Sequence, residues 1–355
     1  MDHSTPVVIT HNSLTLDFYL NHRNTWRSLR NIKEKSTEHL LNINNKRNSL
    51  YPIIYKNIWE RYKQHLACFW ISEEIDLSKD LNDWVNKLND NERFYAKRIL
   101  SFFASSDFIV NESQEKDNDE VTILEYKFFN TDKMARENIH SEVYANLLET
   151  YVKDETEKKE LQESIEQIPT IKKKADWFRD FIKNGTFVER IIAETITELL
   201  FFSSAFASIF WFKKRGLMEG LCMSNEFISR DEGLHGMFNI HLYKEEIVNK
   251  LEDDIIIHMI KEAVLIEEEF CRDALPVTLI GMNSELMCQY VRFVADFICH
   301  NLINKKIYNV ECPFDWMTSI ALQVKVDFFS NRVSQYGKTT NLTVSENQIR
   351  FDAEF

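Results

Sequence analysis

The sequence predicts an all-α protein. Only 7 Gly and 5 Pro occur in 355 residues, well under average usage of about 7% and about 5%, so few turns interrupt the chain. Apolar residues recur at helical spacing through long windows, and no stretch of any length alternates as a strand would. An apolar content of 44% is ample for a sizeable core.

Residues 1–45 are polar, rich in Lys, Asn and Thr, and without sustained period, which predicts a loosely held arm. The body is expected over 46–336. Its first helix, 50–69, places Tyr51, Ile54, Ile58, Tyr62 and His65 at helical spacing and leads into Phe69-Trp70. A second, from 92 to 111, carries Asp107 inside a nearly apolar run. A buried carboxylate there needs a cation or strong donors. The third, 119–153, is long for a globular domain. Shorter amphipathic helices are expected at 158–169 and 170–183.

A very apolar helix follows over 188–214, with Glu198 as its odd acid. It closes on Lys213-Lys214-Arg215-Gly216, a good C-terminal signal. Helices at 224–248, 250–274, 283–307 and 315–335 complete the body. Beyond Tyr336, residues 337–355 form a polar linker ending in Ile349-Arg350-Phe351-Asp352-Ala353-Glu354-Phe355. That pattern fits a tethered docking peptide.

The net charge of −13 argues against a nucleic-acid partner, which wants clustered Lys and Arg. The six cysteines are scattered without a C-x-x-C pair, so neither a zinc site nor a disulfide frame is indicated. The N-terminus is polar, with no signal-peptide pattern. The most apolar stretch, 199–212, is short for a membrane span and holds three Ser. The chain reads as cytoplasmic, with no membrane contact.

The chemistry lies in two Glu-x-x-His pairs, Glu137/His140 and Glu232/His235. Residues three apart share a helix face, and Tyr144 lies one turn beyond His140 on that face. One such pair is an ordinary solvated face; two on long apolar helices are not. With the lone acids Asp107 and Glu198 they make the ligand set of a ferritin-like di-metal bundle. Four carboxylates and two neutral imidazoles reach zero net charge with two divalent ions, which permits burial. Such mixed ligands suit iron or manganese better than copper or zinc. A redox metal beside a phenol suggests oxidation with O₂. Phe202, Phe206 and Ile228 lie within two turns of Glu198 and Glu232 and are candidates for a dry pocket.

These segments, with Phe69-Trp70 to Asp80, Phe201 to Gly220, Ala274-Leu275-Pro276-Val277 to Asn283 and the terminal peptide, resemble the small, radical-generating subunit of class I ribonucleotide reductase of the eukaryotic type. The resemblance covers roughly 45–355. It implies a ferritin-like bundle with additional helices and two iron ions, or a manganese–iron pair. Asp107, Glu137 and His140 would hold one ion, and Glu198, Glu232 and His235 the other. Tyr144 would be the stable radical, Trp70 and Asp231 the relay to His140, and Tyr336 the tail residue passing the radical on. The implied partners are a second small subunit, identical or paralogous, and a large catalytic subunit docked through 349–355. Reduction of ribonucleoside diphosphates to deoxyribonucleotides would follow there.

Some positions depart from that family's usual pattern. Phe108 follows Asp107 where Gly is usual, Thr197 and Leu199 flank Glu198 where Val and Gly are common, and Ser203-Ser204-Ala205 replaces Ser-Gly-Ser. All lie close to the ligands, so they bear on radical yield. Two other readings compete: a different di-metal oxidase with its own substrate, and an assembly subunit whose metal site is structural. Trp70, Tyr144, Tyr336 and the terminal peptide would have no shared purpose in the first.

Overall fold

The computed structural model describes residues 15–163, 167–275, 279 and 281–317, without the side chains of Ser105 and Phe108. The chain divides into residues 1–314 and 315–355. The second unit, with the expected helix 315–335, Tyr336 and the tail, lies almost wholly outside the described residues. The described part is helical; its one extended pairing is an isolated bridge between Leu279 and Met282.

In chain order the helices are α1 Leu16–Asn21, α2 Arg23–Thr37, α3 Lys56–Ala67, α4 Asp80–Asn86, α5 Asp90–Glu120, α6 Leu124–Tyr151, α7 Glu155–Gln162 and α8 Pro169–Asn184. They continue as α9 Phe187–Ile196, α10 Ser203–Lys214, α11 Glu219–His241, α12 Asp253–Ala274 and α13 Ser284–Ile303. Four of them close a ring: α5 lies on α6, α6 on α11, α11 on α9, and α9 on α5. α12 and α13 pack together beside this ring.

The ends of these helices are set by local chemistry. Asn89 and Glu92 form a capping box on α5, as Thr186 and Glu189 do on α9. Each satisfies two amide donors that the first turn leaves free. α10 stops where expected: Gly216 takes a positive φ of 66°, and the Gly216 and Leu217 amides return to Lys213 and Phe212 carbonyls. That is the left-handed C-terminal closure that favours glycine.

Two expectations need correction. The arm is not loose from residue 15 onward: α1 and α2 bury Tyr19, Trp26, Arg27, Arg30 and Glu34. Arg27 Nε meets Glu189 Oε1 at 3.0 Å, Tyr19 donates to the same oxygen at 3.1 Å, and Glu34 accepts from the Val188 amide at 3.3 Å. The stripe that faces the body is charged, which is why it reads as solvated.

The expected single helix 188–214 is broken by a π-helical segment, Thr197–Phe201, between α9 and α10. Such segments are rare and favour functional sites. The whole run Phe187–Lys214 is long and apolar enough to cross a membrane, but 94% of its apolar window is buried inside the fold. It is the core helix, and each large apolar side chain it buries contributes about 1.5–3 kcal/mol.

Candidate metal centre

The ring gives each inner helix one piece of the site. α5 carries Asp107, α6 carries Glu137, His140 and Tyr144, the π segment carries Glu198, and α11 carries Asp231, Glu232 and His235. Ligand atoms of Asp107, Glu137 and His140 lie within 4.8 Å of one another, as do those of Glu137, Glu198, Glu232 and His235. All six residues are buried. The two Glu-x-x-His pairs and the two acids in apolar runs thus lie in two groups that share Glu137.

The centre is a cross. His140 Nδ1 faces Glu137 Oε2 at 3.3 Å and Glu232 Oε1 at 3.1 Å. His235 Nδ1 faces Glu137 Oε1 at 3.1 Å and Glu232 Oε2 at 3.3 Å. Both imidazoles therefore aim Nδ1 inward, at the same two carboxylates. Glu198 Oε2 is buried without a hydrogen-bond partner.

The electrostatics express an unmet demand for positive charge. Burial pushes Asp107 well above the usual carboxylate range, and Glu137 adds to it. Burial likewise raises Glu198, against the pull of Lys133. Burial disfavours the charged forms of His140 and His235, yet their hydrogen-bonded carboxylates win, raising His140 and bringing His235 to about 9. Burial opposes ionisation of Glu137 too, and the two histidines hold it below its ordinary value. A buried cluster whose carboxylates raise both imidazoles fits a pair of divalent cations among its inward-facing atoms.

Beyond the six, the outer nitrogens differ. His140 Nε2 lies 3.3 Å from Asp231 Oδ2, the oxygen that accepts from Trp70 Nε1 at 2.7 Å. Trp70, Asp231 and His140 thus form one hydrogen-bonded chain. His235 Nε2 instead meets His65 Nε2 at 2.9 Å, and His65 Nδ1 lies 2.6 Å from Asp132 Oδ2. Lys133, on the face of Glu137 and His140, ion-pairs with both Glu194 and Glu198. Sequence reasoning missed His65 in this role, Asp132, Lys133 and Glu194. The available signals were spacing alone: Lys133 four before Glu137, and Glu194 four before Glu198.

Tyr144 is fully buried and donates to Asn225 Oδ1 at 3.1 Å. Burial, then the Asp107 charge, lifts its phenol well above the ordinary value. Phe103 stacks on it, centroids 4.6 Å apart and planes 4° apart, and Phe202 and Phe206 pack against Phe103. Ile228 is buried as well. The phenol therefore has an apolar wall in Phe103, which the sequence did not single out, backed by Phe202 and Phe206. Tyr336, residues 349–355 and the Phe108 side chain lie outside the described residues.

A helical bundle with four carboxylates and two imidazoles turned inward defines a ferritin-like di-metal carboxylate protein. Comparison with known proteins refines the class. Residues 47–313 match the family model "Ribonucleotide reductase, small chain". The chain is 47% identical over 322 residues to ribonucleoside-diphosphate reductase subunit M2 of Danio rerio, covering 90% of this chain and 83% of that one. It is 48% identical over 320 residues to the small chain of vaccinia virus strain Ankara, covering 90% and 100%. Among solved structures, the ribonucleotide reductase Rnr4 homodimer of Saccharomyces cerevisiae superposes with a TM-score of 0.77 at 32% identity, covering 87% of this chain and 98% of that one. This chain belongs to the ribonucleotide reductase small-chain family.

Proposed function

We propose that this chain is the radical-generating subunit of a class I ribonucleotide reductase, with Tyr144 as its radical site. The observation that carries the reading is the cross, in which each inward Nδ1 faces both Glu137 and Glu232. Asp107, Glu137 and His140 would hold one iron ion, and Glu198, Glu232 and His235 the other. When bound, two iron ions and O₂, or a manganese–iron pair, supply the oxidant.

The chain's own residues do the rest. The raised phenol of Tyr144 keeps its proton at neutral pH, so its electron and proton leave together. Phe103, Phe202 and Phe206 keep water away from the resulting radical. Trp70, Asp231 and His140 form the relay on one side of the centre. Tyr336 would hand the radical to a large catalytic subunit, where ribonucleoside diphosphates become deoxyribonucleotides. Ile349, Phe351 and Phe355 would anchor that partner, each contributing about 1.5–3 kcal/mol before ordering costs. A homodimer is the expected assembly, as in the yeast relative, and the cytoplasm the expected compartment.

Electron paramagnetic resonance after anaerobic ferrous loading and exposure to O₂ tests the reading. A tyrosyl signal is expected, and deletion of 349–355 should leave it intact while abolishing turnover with the large subunit. Two bound irons without a radical would sink the reading. That outcome would favour a metal-binding, radical-poor assembly subunit, for which the ammonium of Lys133 beside Glu198 is the supporting observation.

A further inference from the structure

We infer that the two halves of the centre are unequal cation sites, and that Lys133 is the positioning residue that weakens the half built from Glu198, Glu232 and His235. The inference rests on the metal reading above and adds to it the roles of Lys133, Glu194, His65 and Asp132.

Two independent observations carry it. The first is the Lys133 ammonium, buried on α6 with Glu194 and Glu198 as its ion-pair partners. Asn239 Nδ2 also donates to Glu194 Oε1, at 3.2 Å, so the pair is held from a third element. Glu198 Oε1 lies against the ammonium, and Oε2 has neither a hydrogen-bond nor an ion-pair partner among the described residues. A fixed positive charge on one carboxylate oxygen also repels any cation on the other, strongly so in a dry interior. Glu194 returns the added charge, so the centre's total is unchanged and only its distribution is skewed.

The second observation lies on the imidazoles. A ligating histidine becomes a better donor when its outer N–H meets a carboxylate. His140 has that arrangement, with Asp231 directly behind it. His235 has a second imidazole, His65, behind it, and the carboxylate of Asp132 stands one ring further out. If His235 Nδ1 faces a cation, its Nε2–H donates to His65 Nε2. His65 then carries its own proton on Nδ1, toward Asp132. Both differences point the same way. The Asp107, Glu137 and His140 half is the stronger site.

Mn(II) titration of the full chain tests this, counting free ion by electron paramagnetic resonance and heat by calorimetry. The unaltered protein should bind one Mn(II) per chain tightly and a second at least tenfold more weakly. Lys133→Gln combined with Glu194→Gln preserves net charge and leaves an amide pair in the same space. In that double variant the second site should tighten at least tenfold, while Lys133→Arg should keep the gap. Two equal sites in the unaltered protein, or a gap the double variant does not narrow, would overturn the inference and leave the metal reading standing. No Mn(II) binding in either protein would overturn both.

Discussion

Leu199 and Gly236 fill one another's space. A Cβ on Gly236 would lie 2.4 Å from Leu199 Cγ and 2.5 Å from its Cδ2. The bulky residue beside Glu198 is therefore accommodated by the missing side chain beside His235. The bulk at 199 thus lies against the open position that Gly236 leaves on α11.

Gly236→Ala should therefore destabilise the protein despite the better helix propensity of Ala. Overpacking costs about 1–3 kcal/mol, and propensity returns about 1 kcal/mol. A net loss of about 1 kcal/mol in urea unfolding is expected, and adding Leu199→Ala should restore the helix gain. An unchanged or raised midpoint for Gly236→Ala alone would refute the packing account.

That pairing also marks where sequence reading reaches and where it stops. Glu137, His140, Glu232 and His235 were legible because i, i+3 spacing survives any tertiary arrangement. Asp107 and Glu198 were legible because an acid within an apolar run has few places to go. Lys133 was not, since a lysine among Thr131, Asp132 and Glu137 looks like a solvated face until the fold buries it. The same holds for Arg27, Arg30 and Glu34, whose partners Glu189, Asn249 and Val188 lie far along the chain. No local pattern announces the π segment at Thr197–Phe201.

Trp70 and His140 share one oxygen of Asp231, and the parts of Trp70 and Asp231 should separate by substitution. Asp231→Asn removes the anionic partner of a ligand, a change that typically costs about 10–100-fold in metal affinity or activity. Trp70→Phe leaves Asp231 its contacts with His140 and Arg230. Metal stoichiometry should hold in Trp70→Phe while reduction with the large subunit collapses. Equal loss of bound metal in both variants would make Trp70 a packing residue only.

Tyr144→Phe removes one phenol oxygen and keeps the stack on Phe103. Asn225 keeps its bonds to Leu221 and Ser224 but loses a donor at Oδ1. A cost of about 1–3 kcal/mol is the scale for a buried acceptor left unpaired. Iron uptake should be unchanged, and the radical signal and nucleotide reduction should vanish together. A clean Phe variant that still turns over would remove Tyr144 from the mechanism.

His241, at the end of α11, gives a pH dependence separate from the centre. Burial, with Arg61 adding to it and Glu245 opposing, lowers its imidazole to about 4. An unfolded histidine titrates near 6.5. Between about 6.5 and about 4 the unfolded chain binds a proton that the folded chain refuses, so stability falls as pH drops through that window. His241 is half-buried, so solvent screening cuts the effect to the order of 1 kcal/mol. Unfolding by urea at about pH 7 and about pH 5 should show a smaller pH-linked loss in His241→Gln than in the unaltered protein. Identical losses would mean that His241 titrates normally in the fold and that its buried Nε2, which has no hydrogen-bond partner, is reached by solvent.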